Sequence, residues 1–121
     1  MTRRPAGQTY WIPNTDVFVM DETLVVRVEL AGMRQEDLEI AVEGNLLLIK
    51  GQRPDGCRGA GCRFLVMEIN YGPFECVLEI PPEYNLKESR AAYTNGFLQI
   101  DIPKLAPPPT KKIQVQISDL K

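Results

Sequence analysis

The sequence predicts an all-β chain, folded as a two-sheet antiparallel β-sandwich with a long strand-bearing loop and an extended C-terminal arm. Three observations lead there. Short runs alternate apolar and polar residues with period two, turn-forming pairs separate them, and no stretch has the length and periodicity of an amphipathic helix.

Leu24, Val26, Val28 and Leu30 share one face of the first clear run, with Val25, Arg27 and Glu29 on the other. Leu38, Ile40 and Val42 repeat the pattern against Glu39, Ala41 and Glu43. Residues 46–52 are apolar on both faces at first, the mark of a strand inside a sheet with both sides covered. Phe74, Cys76, Leu78 and Ile80 alternate with Glu75, Val77 and Glu79, while Leu98, Ile100 and Ile102 alternate with Gln99 and Asp101. The segment AAYTNGFLQIDIPK, residues 91–104, writes a hairpin, because Asn95-Gly96 accepts the positive φ values of a type I′ turn. Further turn signals are Ala31-Gly32, Gly44-Asn45, Pro54-Asp55-Gly56 and Pro81-Pro82. Only residues 33–38 and 83–90 leave room for a helical turn.

Two segments stand outside this rhythm. Residues 54–63, PDGCRGAGCR, form a glycine-rich polar loop, and residues 64–69, FLVMEI, read as a strand attached to it. In the tail, Pro107, Pro108 and Pro109 make a stiff spacer ahead of Ile113, Val115 and Ile117, which alternate with Gln114 and Gln116. A strand with one apolar face, held off its own domain, is expected to dock on a neighbour; the alternative is an ordinary last strand folding back. The division is therefore a short N-terminal arm (1–10), a sandwich domain (11–104), and a proline-rich linker with a docking arm (105–121).

With 121 residues the chain makes one domain with a core large enough to need no staples. Its net charge of -2 lacks the basic footprint of a nucleic-acid binder. The basic start MTRRPAGQTYW is followed by no apolar run of signal or membrane-spanning length, so a cytoplasmic location is expected. Three cysteines, an odd number, fit a reducing compartment. The absence of histidine removes Ser-His-Asp, Cys-His and histidine-ligated metal chemistry. Cys57 and Cys62, spaced Cys-x-x-x-x-Cys beside Arg58 and Arg63, are either a redox pair or functionless loop thiols that bond only on oxidation. Cys76 shares the apolar face of Phe74 and Leu78 and reads as a small buried hydrophobe. The acidic residues follow no calcium-loop spacing and the glycines no phosphate-binding spacing, so no cofactor, nucleotide or metal is expected.

The motifs taken together resemble the α-crystallin domain of small heat-shock proteins. The matching residues are Pro13 and Asp16, Leu30-Ala31-Gly32, Glu36-Asp37-Leu38, Leu47-x-Ile49-x-Gly51-x-Arg53, Glu68-Ile69, Tyr71-Gly72-x-Phe74, and Ala91-x-x-x-Asn95-Gly96-x-Leu98 ending in Pro103-Lys104. The chain departs from the family at Ala31, where proline is usual, and at Ile69 and Cys76, where arginines help define the dimer region. The resemblance implies an immunoglobulin-like sandwich that acts as an ATP-independent holdase on unfolding client proteins and is no enzyme. It also implies a dimer, with larger homo-oligomers built from it. The dimer would form by exchange of Phe64, Leu65, Val66 and Met67 against the partner's first strand, Asp16, Val17, Phe18 and Val19. The arm motif would be Ile113, Val115 and Ile117. The groove it fills, shared with clients, would be formed by Leu38, Ile40 and Val42 on one strand and Ala91 and Tyr93 on another. Rival readings are a β-sandwich co-chaperone or adaptor for a folded partner, and a Cys57/Cys62 redox protein.

Overall fold

Two hairpins with tight turns set the frame of one sheet. The computed structural model describes residues 2–3, 10–57, 59–107 and 112–119. Strand β1 is Thr2–Arg3, β2 Thr15–Met20, β3 Thr23–Glu29, β4 Leu38–Glu43, β5 Leu46–Arg53, β6 Gly72–Glu79, β7 Arg90–Thr94 and β8 Phe97–Ile102. One four-stranded sheet runs β2-β3-β8-β7 and the other β1-β6-β5-β4, with every ladder antiparallel. The expected helical turns are single 3₁₀ turns at Gln35–Asp37 and Leu86–Glu88.

The β7–β8 hairpin closes on Asn95 and Gly96 at φ 54° and 81°, as the Asn-Gly chemistry requires. A side chain at position 96 would also press on Ala31, because the Gly96 carbonyl accepts from the Leu30 N–H at 2.8 Å. The β2–β3 hairpin instead turns on Asp21 and Glu22 at φ 50° and 65°. Aspartate is a usual residue at such a position, whereas glutamate stands where glycine is usual.

The facing sides of the two sheets make one core. Leu24, Val26, Val28 and Leu30 meet Leu47, Ile49, Phe74, Cys76, Leu78 and Ile80, with Leu98, Ile100 and Ile102 completing the layer. The alternation read from the sequence thus states which face is buried. Residue 51 must be glycine for a packing reason: a Cβ there would collide with the Asp37 carbonyl and the Phe74 ring. Strand β5 lies inside its sheet between β6 and β4, as expected, but Leu46 and Leu48 are only half-buried. No second layer covers that outer face completely, which corrects the reading of two covered sides.

The outer edge of β6 is taken up by the N-terminal segment. Thr2–Arg3 pairs with Leu78 and Val77, and Trp11 bridges Phe74 with its ring tilted against that phenyl at 5.1 Å. Trp11 Nε1 donates to the Gly72 carbonyl at 3.1 Å, so this indole packs on its own domain.

Candidate functional site

Strands β4 and β7 are the edges of their respective sheets. Between them lies a cleft of about 330 Å³ lined by Gln35, Leu38, Ile40, Ala91, Ala92, Tyr93 and Leu98. Four of the five expected groove residues, Leu38, Ile40, Ala91 and Tyr93, therefore meet in one place. Val42 does not join them. Alternate residues along a strand advance by about 6.6 Å, which carries Val42 past β7 into a second trough with Ile80, Pro82, Leu86 and Leu105. The cleft also takes in Gln35, Ala92 and Leu98, which the sequence did not single out. Leu98 belongs to the core-facing alternation of β8, and Ala92 is the odd-phase neighbour of two residues already chosen.

Tyr93 is the fixed wall of the cleft. Its hydroxyl donates to the Leu30 carbonyl and accepts from the Met33 N–H, the latter at 3.2 Å. Both bonds tie β7 to the turn after β3, so the phenol ring holds its orientation whether or not the cleft is filled. Apart from Gln35 the remaining side chains of the lining are aliphatic, and Ile40 is partly open to solvent. Such a surface offers apolar contact together with two strand edges bearing free backbone groups.

The arm residues are among the most exposed apolar side chains of the chain's described part. Ile113, Val115 and Ile117 are 80%, 79% and 94% accessible. They form no strand, contrary to expectation, because no ladder partner lies beside them. Folding back onto the domain, the alternative reading, is not what the structure shows for residues 112–119.

Residues 64–69 likewise form no strand in the single chain, which corrects the strand assigned to them. Phe64, Leu65, Val66, Met67 and Ile69 stand exposed, with Leu65 at 83% and Val66 at 73%. Their β-branched and aromatic content favours a strand only where a neighbouring edge supplies hydrogen bonds. Strand β2 has such an edge, since among the described residues it pairs with β3 alone. Asp16, Val17, Phe18 and Val19 lie on it, Val19 is exposed, and Arg27 sits 5.3 Å above the Phe18 ring. The single chain does not bring the two segments together.

Within the loop Cys57 and Cys62 are disulfide-bonded, a state that both the redox pair and the functionless thiols that bond on oxidation can adopt. At its root Arg53 Nε donates to the Asn70 carbonyl at 2.9 Å, a second guanidinium nitrogen donates to the Ala31 carbonyl at 3.2 Å, and the group stacks 4.3 Å above the Trp11 ring. Cys76 is wholly buried. Burial pushes its thiol above the ordinary value, while the Thr15 hydroxyl 3.9 Å away acts weakly in the opposite sense. That is the environment of a core residue, since a thiolate nucleophile needs the reverse shift. Among the described residues no three His, Cys, Asp or Glu side chains gather as a metal site would require. No helix among them is long and apolar enough to cross a membrane.

The Hsp20/alpha crystallin family model matches residues 16–118, from the open β2 edge through both cleft strands to the arm. The chain belongs to the Hsp20/alpha crystallin family. This Hsp20 chain is 33% identical over 105 residues to small heat shock protein C2 of Rickettsia felis, covering 87% of this chain and 68% of that protein. It is 32% identical over 108 residues to a 17.7 kDa class II heat shock protein of Arabidopsis thaliana, covering 85% and 69%. A small heat-shock protein from Xylella fastidiosa, described as having a distinct high order structure, superposes with a TM-score of 0.78 at 28% identity. The alignment covers 90% of this chain and 100% of that one. The family is one of small heat-shock chaperones, and the α-crystallin β-sandwich is the fold of this Hsp20 chain.

Proposed function

We propose that this Hsp20 chain is an ATP-independent holdase of the cytoplasm that binds non-native proteins and keeps them from aggregating. The observation that carries the reading is the cleft between β4 and β7, an apolar channel bordered by two unpaired strand edges. An unfolding protein exposes extended apolar segments, and such a segment satisfies both features of the cleft at once. No nucleotide is needed for a step driven by apolar burial.

The same channel is the dock for Ile113, Val115 and Ile117 of a neighbouring subunit, whose period-two spacing matches the alternation of the cleft wall. Arm and client then compete, and the arm guards the cleft until clients appear. Dimers form by exchange of residues 64–69 onto the open edge of the partner's β2, and the arms link dimers into larger homo-oligomers.

Light scattering of a heat-unfolding test enzyme, with nucleotide absent and this protein added at increasing molar ratio, tests the reading. Suppression that saturates near stoichiometric ratios is expected. No suppression, at a temperature where this protein stays folded, refutes the holdase and favours an adaptor for a folded partner.

A further inference from the structure

Residues 54–71 leave and re-enter their sheet at one point, because Arg53 and Gly72 face each other across β5 and β6. The bond from Arg53 to the Asn70 carbonyl tightens that root. The loop is a lasso, and its far end, Phe64, is reached along two legs. The return leg from Gly72 to Phe64 has eight residue steps, about 26 Å when fully extended. The outgoing leg from Arg53 to Phe64 has eleven steps, about 36 Å.

The disulfide lies wholly within the outgoing leg. It replaces the five steps from Cys57 to Cys62 by a Cα–Cα distance of 5.9 Å. The four steps before it and the two after it remain, so the bridged leg measures about 26 Å at full stretch. With the bond closed, both legs must be drawn straight for residues 64–69 to reach outward as far as the return leg allows. With it open, the outgoing leg has about 10 Å of slack. The ring is also separable from the core. Cys57 is exposed and neither cysteine belongs to the core cluster. The chain is brought round by the Cys57 N–H donating to the Asp55 carboxylate at 2.9 Å and the Cys62 N–H donating to the Gly59 carbonyl at 3.1 Å. Opening the ring takes nothing from the core cluster.

We propose that Cys57 and Cys62 are a thiol–disulfide site that sets the slack of the loop, so that reduction by a dithiol eases strand exchange and oxidation restrains it. The inference rests on the strand-exchange reading above. A reductant thiolate attacks the exposed Cys57 sulfur, the Cys57–Cys62 bond breaks, and the Cys62 thiolate leaves and takes up a proton. The second reductant thiol then attacks the mixed disulfide, releasing Cys57 as a thiol and the reductant as its disulfide. Two electrons and two protons pass from the dithiol to the loop.

The test compares the full chain after dithiothreitol with the same chain oxidised by oxidised glutathione, its thiols counted by mass spectrometry, using sedimentation velocity over a concentration series. Reduction is expected to tighten dimerisation by about tenfold or more, since holding even one further residue in a single taut conformation costs that much. Cys57→Ser with Cys62→Ser is expected to show the reduced value in both conditions. Equal dissociation constants in the two states, or a double variant that still responds to dithiothreitol, overturns the switch. Val66→Pro removes a backbone N–H donor at a residue whose side chain is 73% accessible in the single chain. If it monomerises the protein while redox state has no effect, only the switch is refuted. If it dimerises as the parent does, strand exchange is refuted and the switch with it.

Discussion

Replacing Ile113 and Val115 together by serine removes two side chains whose surfaces are 80% and 79% accessible in the single chain. Almost none of that area is used to stabilise the parent fold, so the folded domain should lose nothing. In a docked arm the same area goes out of water, at about 1.5 to 3 kcal/mol for each side chain. The double variant therefore forfeits about 3 kcal/mol or more per arm, roughly a hundredfold in affinity. Ordering and association costs of about 4 kcal/mol or more leave each single contact only marginally favourable to begin with. Loss of this size takes the contact below zero, and the multivalent gain from several arms cannot recover it. Size-exclusion chromatography with multi-angle scattering, at one concentration and low temperature, should show the assembly falling to dimers. The urea midpoint should stay that of the parent. An unchanged mass at an unchanged midpoint refutes arm docking as the contact between dimers.

Three further outcomes follow from the packing. Gly51→Ala forces a methyl against the Asp37 carbonyl and the Phe74 ring, and urea unfolding should show a loss of about 1–3 kcal/mol or more; no loss would mean that β5 can move freely. Tyr93→Phe strands the Leu30 carbonyl and the Met33 N–H, for a loss of about 1–3 kcal/mol, and a variant of parental stability would show that water replaces the phenol. Cys76 has its thiol raised by burial from an ordinary 9.0, so the folded state holds its proton longer than the unfolded chain does. Its contribution is intact below that pH and is lost as pH rises beyond it. Unfolding free energy measured between pH 8 and 10.5 should fall more steeply for the parent than for Cys76→Ala, and parallel curves would contradict the shift.

How far the sequence could be read depended on where each feature finds its partner. Asn95-Gly96 announces its hairpin locally, and the alternation in residues 24–30, 74–80 and 98–102 names the buried face without reference to anything else. Asp21-Glu22 gives only half a signal, since aspartate suits a type I′ turn but glutamate stands where glycine is usual, and its positive φ rests on the paired strands on either side. The β propensity of residues 64–69 and 113–117 is plain, yet propensity specifies no ladder, and in the single chain neither segment lies in a ladder with an open edge. The Cys-x-x-x-x-Cys spacing was legible, while its closure depends on turns at Asp55 and Gly59 that bring the sulfurs together. For the cleft, the apolar stripe of β4 was correctly seen, but its useful length is fixed by how far β7 extends beside it. That offset between two sheets left Val42 outside and brought Gln35, Ala92 and Leu98 in.

The Arg53 guanidinium binds carbonyls at positions 31 and 70 and covers the indole at position 11, three places distant in sequence that share one fastening. A guanidinium presents its N–H donors as a planar fork, which lets one side chain hold two carbonyls and cover a ring at once. The fastening yields to displacement. A pull on the loop that draws Asn70 away from its root therefore bears on the side chain that seats Trp11, and the indole and the loop are held to the sandwich through a common rivet.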